Sequence, residues 1–267
     1  TSITVTLATN IAVGTFVGLL NGSSVMELAM VTAKSGSVLT LAPALTFTPS
    51  SAGGATVFSS ASYAQTETDP GTVTLIGVYD GGEYAFTGCK GAAPKLTGLT
   101  ARGRPMFEWS FSVDSWSTTT RSGTIPTLGS TVGQLALNGR FYWGTSRTVH
   151  EASFDPGAVV TPKLSVSGAD GRSAWITTDR NPTASFKPYF ATAFRTDYDA
   201  ETTRALFAQL GTAAAGAATF GLYAHLSQIN KFPGEIDVNG NVGHDVGLQI
   251  VDTGDATLTN PFQYGFV

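Results

Sequence analysis

The sequence is short of charge, nearly without cysteine and without any long apolar run, and each shortage excludes something. Charged residues make up 13% of the 267, about half the usual share for a soluble chain, and Thr, Ser, Gly and Ala fill the space. A surface short of charge without being greasy suits a protein that covers much of its exterior with partners; it also suits secreted β proteins. Basic charge is scarcer still, with 15 Lys and Arg against 19 Asp and Glu, a net charge of −4 and a pI near 5.3. Tight nucleic-acid binding takes most of its affinity from phosphate neutralisation. The balance therefore argues against a sequence-reading nucleic-acid binder, while leaving open an acidic surface past which DNA slides. The single cysteine, Cys89, permits no intrachain disulfide, which argues against a small cross-linked secreted scaffold. No apolar run approaches the ~20 residues that cross a bilayer. "TSITVTLATN" lacks the basic and apolar regions of a signal peptide, and a start at Thr1 is expected to reflect loss of at least an initiator residue.

What is present is β pattern. Hydrophobic residues reach 42%, and their commonest period is two. In "RGRPMFEWSFSVD", residues 102–114, Phe107, Trp109, Phe111 and Val113 alternate with Glu108, Ser110, Ser112 and Asp114. That predicts one strand with a core face and a polar face. Residues 72–114 read as four strands, "TVTLIGVY", "EYAFTGCKG", "APKLTGLTA" and the alternating one. Turns at Asp80-Gly81-Gly82 and at 102–105 separate them, as antiparallel sandwiches and barrels require. Residues 1–64 read as a small β module of their own, with "SVMELAMVTA" and "SVLTLAPAL" as strands; 65–267 read as one larger β domain. The stretch 117–131, "STTTRSGTIPTLGST", is expected to be a polar loop. One helix is predicted over 199–210. Asp199 would cap it, Leu206, Phe207 and Leu210 would form its apolar stripe, and Gly211 would end it. The predicted fold is all-β, mainly antiparallel, a sandwich or barrel with one packed α-helix and an N-terminal β module.

Candidate chemistry is thin. His150, His225 and His244 are the three histidines. His244-Asp245 invites a hydrolase dyad, but no GxSxG elbow accompanies it, so His244 is expected to be a solvated turn residue. No HExxH spacing and no cysteine pair offers a zinc site. Asp237, Asn239 and Asn241 imitate a calcium loop without its distal Glu, so an Asn/Gly β-turn is expected there. Glu83 and Glu108 are imaginable neighbours on one wet face, although rim charges explain them more simply. Trp109 and Trp175 are expected in the core; Trp116 and Trp143, at strand ends, are candidate interface anchors. Lys90, Lys95, Arg102 and Arg104 cluster at one end of adjacent strands without a P-loop pattern. With Trp116 and Arg121, they are candidate inter-subunit contacts. No catalytic residue, metal ligand or cofactor site is assigned, and enzyme activity is not expected.

Around "GVYDGGEYAFTGCKGAAPKLTGLTARGRPMFEWSFSVDSW" the chain resembles the tail tube proteins of long-tailed, siphovirus-type bacteriophages. Tyr84, Phe86, Gly88, Cys89, Lys90, Gly91, Gly103, Pro105, Phe107 and Phe111 fit that family's pattern of an aromatic strand, a "GC+G" turn, a "G+P" turn and an alternating strand. The segment "INKFPGEIDVNGNVGHDVGLQIVDTGDATLTNPFQYGF" resembles its closing hairpin; the likeness covers about 72–267. Residues 1–64 instead resemble a small β module appended to some phage tail proteins. The resemblance implies a structural virion protein, assembled in the host bacterial cytoplasm. It implies a homo-oligomeric ring, hexameric, that stacks into a tube and joins other phage tail proteins. DNA would pass through the lumen without specific binding, and the chain would not insert into a membrane. Glu108, Ser110, Ser112 and Asp114 are then candidates for the channel wall or a subunit seam. A minor or distal tail adaptor on the same fold and a carbohydrate-binding β-sandwich or glycosidase remain as alternatives.

Overall fold

The computed structural model describes residues 1–6, 8–21, 25–49, 55–64, 71–79, 82–100, 103–120, 139–167, 171–211, 219–252 and 260–267. Its first strands are β1 (Ser2–Thr4), β2 (Phe16–Asn21), β3 (Val25–Ser35), β4 (Val38–Ala42) and β5 (Thr56–Ser59). They form a five-stranded antiparallel sheet in the order β1-β4-β3-β2-β5. Then come β6 (Ala61–Ala64), β7 (Val73–Tyr79), β8 (Gly82–Gly91), β9 (Lys95–Thr100), β10 (Met106–Glu108), β11 (Phe111–Ser112) and β12 (Ser115–Thr120). The central part supplies β13 (Arg140–Trp143), β14 (Thr145–Ser146), β15 (Val149–Asp155), β16 (Ala158–Leu164), β17 (Arg172–Arg180), β18 (Thr183–Pro188) and a helix, α1 (Ala193–Asp199). The last strands are β19 (Thr203–Leu210), β20 (Phe220–Ile229), β21 (Gly234–Val238), β22 (Asn241–Val251) and β23 (Phe262–Phe266).

The fold is all-β and antiparallel. A 12-stranded sheet has the nine-strand path β10-β9-β15-β18-β22-β20-β19-β13-β14, with β21 paired on β22, β23 on β20 and β6 on β23, and it curls into a half-barrel. The curl has a local origin at β20, one edge of which is shared. Residues 220–224 of that strand pair with β23, whereas 226–229 pair with β22. β23 in turn pairs with β6, so residues 61–64 join the large sheet while 2–59 make the small one. The inner face of the curl holds the largest core cluster, including Phe154, Phe186, Leu206, Leu248 and Phe262.

The helix predicted over 199–210 is not there. Residues 203–210 are the strand β19, and the helix lies just upstream, with Asp199 as its last residue rather than its cap. From Leu206 to Leu210 every residue is buried. Leu206, Ala208 and Leu210 face the main core, while Phe207 joins Phe16, Leu28, Met30 and Tyr223 between the two sheets. A strand buried on both faces loses its period of two and imitates a short helical stripe. Phe194 is the anchor of α1, buried against Trp143 and Phe186.

Gln209 shows how tightly the sheets are joined. β4 pairs with β3 only from Met30 onward, leaving the β3 backbone at 26–28 without a strand neighbour on that edge. The buried Gln209 side chain fills the gap: its Nε2 donates to the Met26 carbonyl at 2.9 Å, and its Oε1 accepts from the Leu28 amide at 2.9 Å. Gln209→Leu should therefore cost about 2–4 kcal/mol, because it orphans a buried amide and a buried carbonyl together. An unchanged urea midpoint would contradict this.

Two buried tyrosines give the fold an alkaline limit. Burial pushes the Tyr223 hydroxyl up to about 12 and raises Tyr264 as well; the Tyr264 hydroxyl donates to the Pro94 carbonyl at 3.0 Å. An unfolded chain gives up these protons near pH 10. The stabilisation is thus complete below pH 10 and is lost as pH rises toward 12, at about 1.4 kcal/mol per pH unit per tyrosine. Tyr223→Phe should remove about that much of the slope in denaturant titrations between pH 10 and 12; an unaltered slope would contradict the assignment.

Candidate assembly surface

The part of the molecule that departs most from a self-sufficient domain is built on β8. This strand kinks at Gly88, whose φ is +63° and whose Cβ, if it had one, would sit 2.6 Å from Asp114 Oδ2. Beyond the kink its inner end is buried at Cys89 and Lys90 and pairs with β11. Its outer half pairs with β7 on one side and β12 on the other. Register puts Leu75, Phe86 and Trp116 in one row, with Tyr79 further along the same face; Ile76, Ala85 and Ser117, then Val78, Glu83 and Thr119, make up the opposite face. Trp116 is 67% and Tyr79 77% exposed on the first face, and Ile76 is 63% exposed on the second. An antiparallel sheet wet on one side normally alternates apolar and polar. This one carries exposed apolar side chains on both faces, and among the described residues no other sheet packs over either. Three strands without a buried face hold together poorly, and exposed apolar surface of this kind is costly to leave in water. A second projection, the β16–β17 hairpin, carries exposed Val159, Leu164 and Val166.

The stretch that promised one alternating strand is divided between sheets. Residues 106–108 extend the edge of the large sheet on β9, whereas 111–112 pair with β8. Phe107 does enter the core, against Phe220, Tyr264 and Phe266. Trp109 is not core: it is 60% exposed and stacks on Phe111 with ring centroids 6.0 Å apart. Both rings line an open cleft of 310 Å³ together with Tyr63, Val73, Phe262 and Tyr264. The break also divides the polar row. Glu108, Ser110 and Ser112 line a smaller cleft of 230 Å³ with Lys95 and Asp155. Asp114 stands apart and pairs with Arg172 at the far end of β17, Nε to Oδ1 at 3.3 Å.

The basic cluster separates likewise. Lys90 is buried within the fold and not at its surface, because the inner half of β8 enters the body. Lys95 binds Asp155 at 2.5 Å, and that hydrogen bond holds its ammonium above the usual lysine value. Arg104 is exposed; Arg102 and Arg121 lie outside the described residues. Residues 117–120 of the expected polar loop are instead part of the strand β12; 121–131 lie outside the described residues.

Other expectations about aromatic and titratable residues also change. Trp143, taken for a strand-end anchor, is fully buried and donates its Nε1 proton to Ser227 Oγ at 3.0 Å. Trp175 is half-buried, with the Arg172 guanidinium 4.9 Å from its ring centre. His244 is not in a turn but inside β22, buried and stacked on Phe190 at 4.9 Å. The Asn/Gly turn is present: Asn239 and Gly240 both have positive φ, 52° and 78°, as the two-residue hairpin turn demands. Asp237 accepts the Gly240 amide there. Glu83 and Glu108 belong to different sheets. Among the described residues no group of His, Cys, Asp and Glu is arranged to hold a metal ion, and no helix is long and apolar enough to cross a membrane.

Sequence reading missed the projecting sheet, although a signal existed. "TVTLIGVY" carries apolar residues at both parities, Val73 and Leu75 on one and Ile76 and Val78 on the other, which asks for cover on both faces. Compared with models of known protein families and with curated protein sequences, the chain matches none.

Proposed function

We propose that the chain is a structural subunit of a phage tail tube, assembling into hexameric rings that stack around a channel for DNA. The observation that carries the proposal is the β7–β8–β12 sheet, which exposes apolar side chains on two faces that the described residues leave uncovered. In a ring, neighbouring copies cover both faces, and unpaired strand edges serve as joints instead of liabilities. The stretch that carries the tail-tube resemblance, 77–116, runs from β7 to the start of β12, the strands that build and anchor this sheet. A net charge of −4 suits a lumen that lets DNA pass without holding it. Location in the virion follows from the same reading.

Sedimentation of the purified chain tests the proposal. Species of six or more copies, growing with concentration, are expected; a monomer of 27.7 kDa at every concentration would overturn it. Copy number in purified particles separates a tube subunit, repeated along the tail, from an adaptor present once per particle.

A further inference from the structure

The surface holds an apolar projection and an apolar cleft that cannot serve each other within one chain. The projection is the tip of the β16–β17 arm, where Leu164 is 79% exposed and Val166 wholly so. No other large apolar side chain among the described residues is more exposed. The cleft is the one walled by Trp109 and Phe111, and its lining includes Ala158 and Arg180. Those two residues are the first cross-strand pair of the same arm. Ala158 and Leu164 are therefore separated along the hairpin by roughly 20 Å at ~3.3 Å per residue, and Arg172, opposite Leu164, is held by Asp114. The arm holds its own tip away from its own cleft.

Charge follows the same direction. Lys163 is exposed beside Leu164 and has no ion-pair partner among the described residues. The smaller cleft shares the Ala92, Ala93 and Ala158 wall with the apolar one. There Glu108, which accepts from Thr97 Oγ1, lines the wall beside Asp155, whose ammonium partner is Lys95. Glu108 thus has no ion-pair partner among the described residues and is the carboxylate that Lys163 can meet.

We infer that the arm tip of one subunit seats in the cleft of the next copy, with Leu164 and Val166 against Trp109 and Phe111 and with Lys163 on Glu108. The contact rests on the assembly reading above and supplies it with a head-to-tail joint. A knob and a hole on different parts of one chain make a heterologous contact, which closes into a ring or continues as a filament according to its rotation.

Mixed single-cysteine variants test the inference. Leu164→Cys and Ala93→Cys, each combined with Cys89→Ser to remove the native thiol, should form a disulfide-linked dimer when mixed under oxidising conditions. Neither should do so alone. Independently, Lys163→Glu and Glu108→Lys should each raise the concentration needed for assembly by about tenfold, and the double exchange should restore it. Rings without the mixed disulfide, and with no rescue by the exchange, would overturn the joint and leave the tube reading standing. The mixed disulfide in a chain that forms no rings would keep the joint and overturn the tube.

Discussion

Gly265→Val is expected to unseat the N-terminal sheet and to cost about 3–5 kcal/mol of stability. Gly265 faces Gly221 across the β23–β20 pair, and together they leave a notch in the large sheet. Phe16, 1% exposed, fills it. A Cβ on Gly265 would lie 2.4 Å from Phe16 Cδ2, and one on Gly221 would lie 2.9 Å from both Phe16 Cε1 and Leu28 Cδ1. Neither glycine has a positive φ, so the requirement is for space and not for backbone freedom. The added methyls displace Phe16, and with it go the contacts of Leu28, Met30, Phe207 and Tyr223. Gly71→Ala is the matched control, since nothing lies within 4 Å of its Cβ position. Thermal or urea unfolding should separate the two variants widely. If Gly265→Val unfolds at the wild-type midpoint, the notch does not hold the sheets together.

Ile76→Asp combined with Trp116→Asp is expected to stop assembly and leave the fold intact. The two residues lie on opposite faces of the projecting sheet, and both are exposed, so no core contact is lost. Covering an aliphatic side chain is worth about 1.5–3 kcal/mol, and a central Trp at an interface about 2 or more. Losing both removes about 4 kcal/mol per joint, roughly a thousandfold in affinity. The single variants tell which face the neighbour covers first. Wild-type assembly by the double variant would show that the sheet is not an interface. The β signal in circular dichroism should be unchanged in either case.

How far the sequence could be read depended on how many faces each strand buries. Strands with one wet face announce themselves: β18 alternates buried and half-buried positions along its whole length. The β3–β4 turn at Gly36 was legible from Ser35-Gly36 for the same local reason, since a tight hairpin turn needs positive φ and Gly36 has 58°. β19 was lost to a helix because a partner sheet, invisible in a local window, buries its second face through Phe207 and Gln209. The 102–114 alternation is real, but periodicity says nothing of which neighbour a strand pairs with. The chain changes sheets between Glu108 and Phe111, and Trp109 turns outward at that crossing. Of the candidate seam, Glu108, Ser110 and Ser112 share one cleft because Lys95 and Asp155 close it from β9 and β15. Asp114 and Lys90 went elsewhere through contacts fixed by the kink at Gly88 and by Arg172. Those contacts are long-range and leave no trace in spacing.

Electron microscopy of the purified full chain over rising concentration tests the central claim most directly. The account predicts closed rings that stack into tubes, with both faces of the β7–β8–β12 sheet covered by neighbouring copies. Single particles of 27.7 kDa with that sheet bare at every concentration would contradict it.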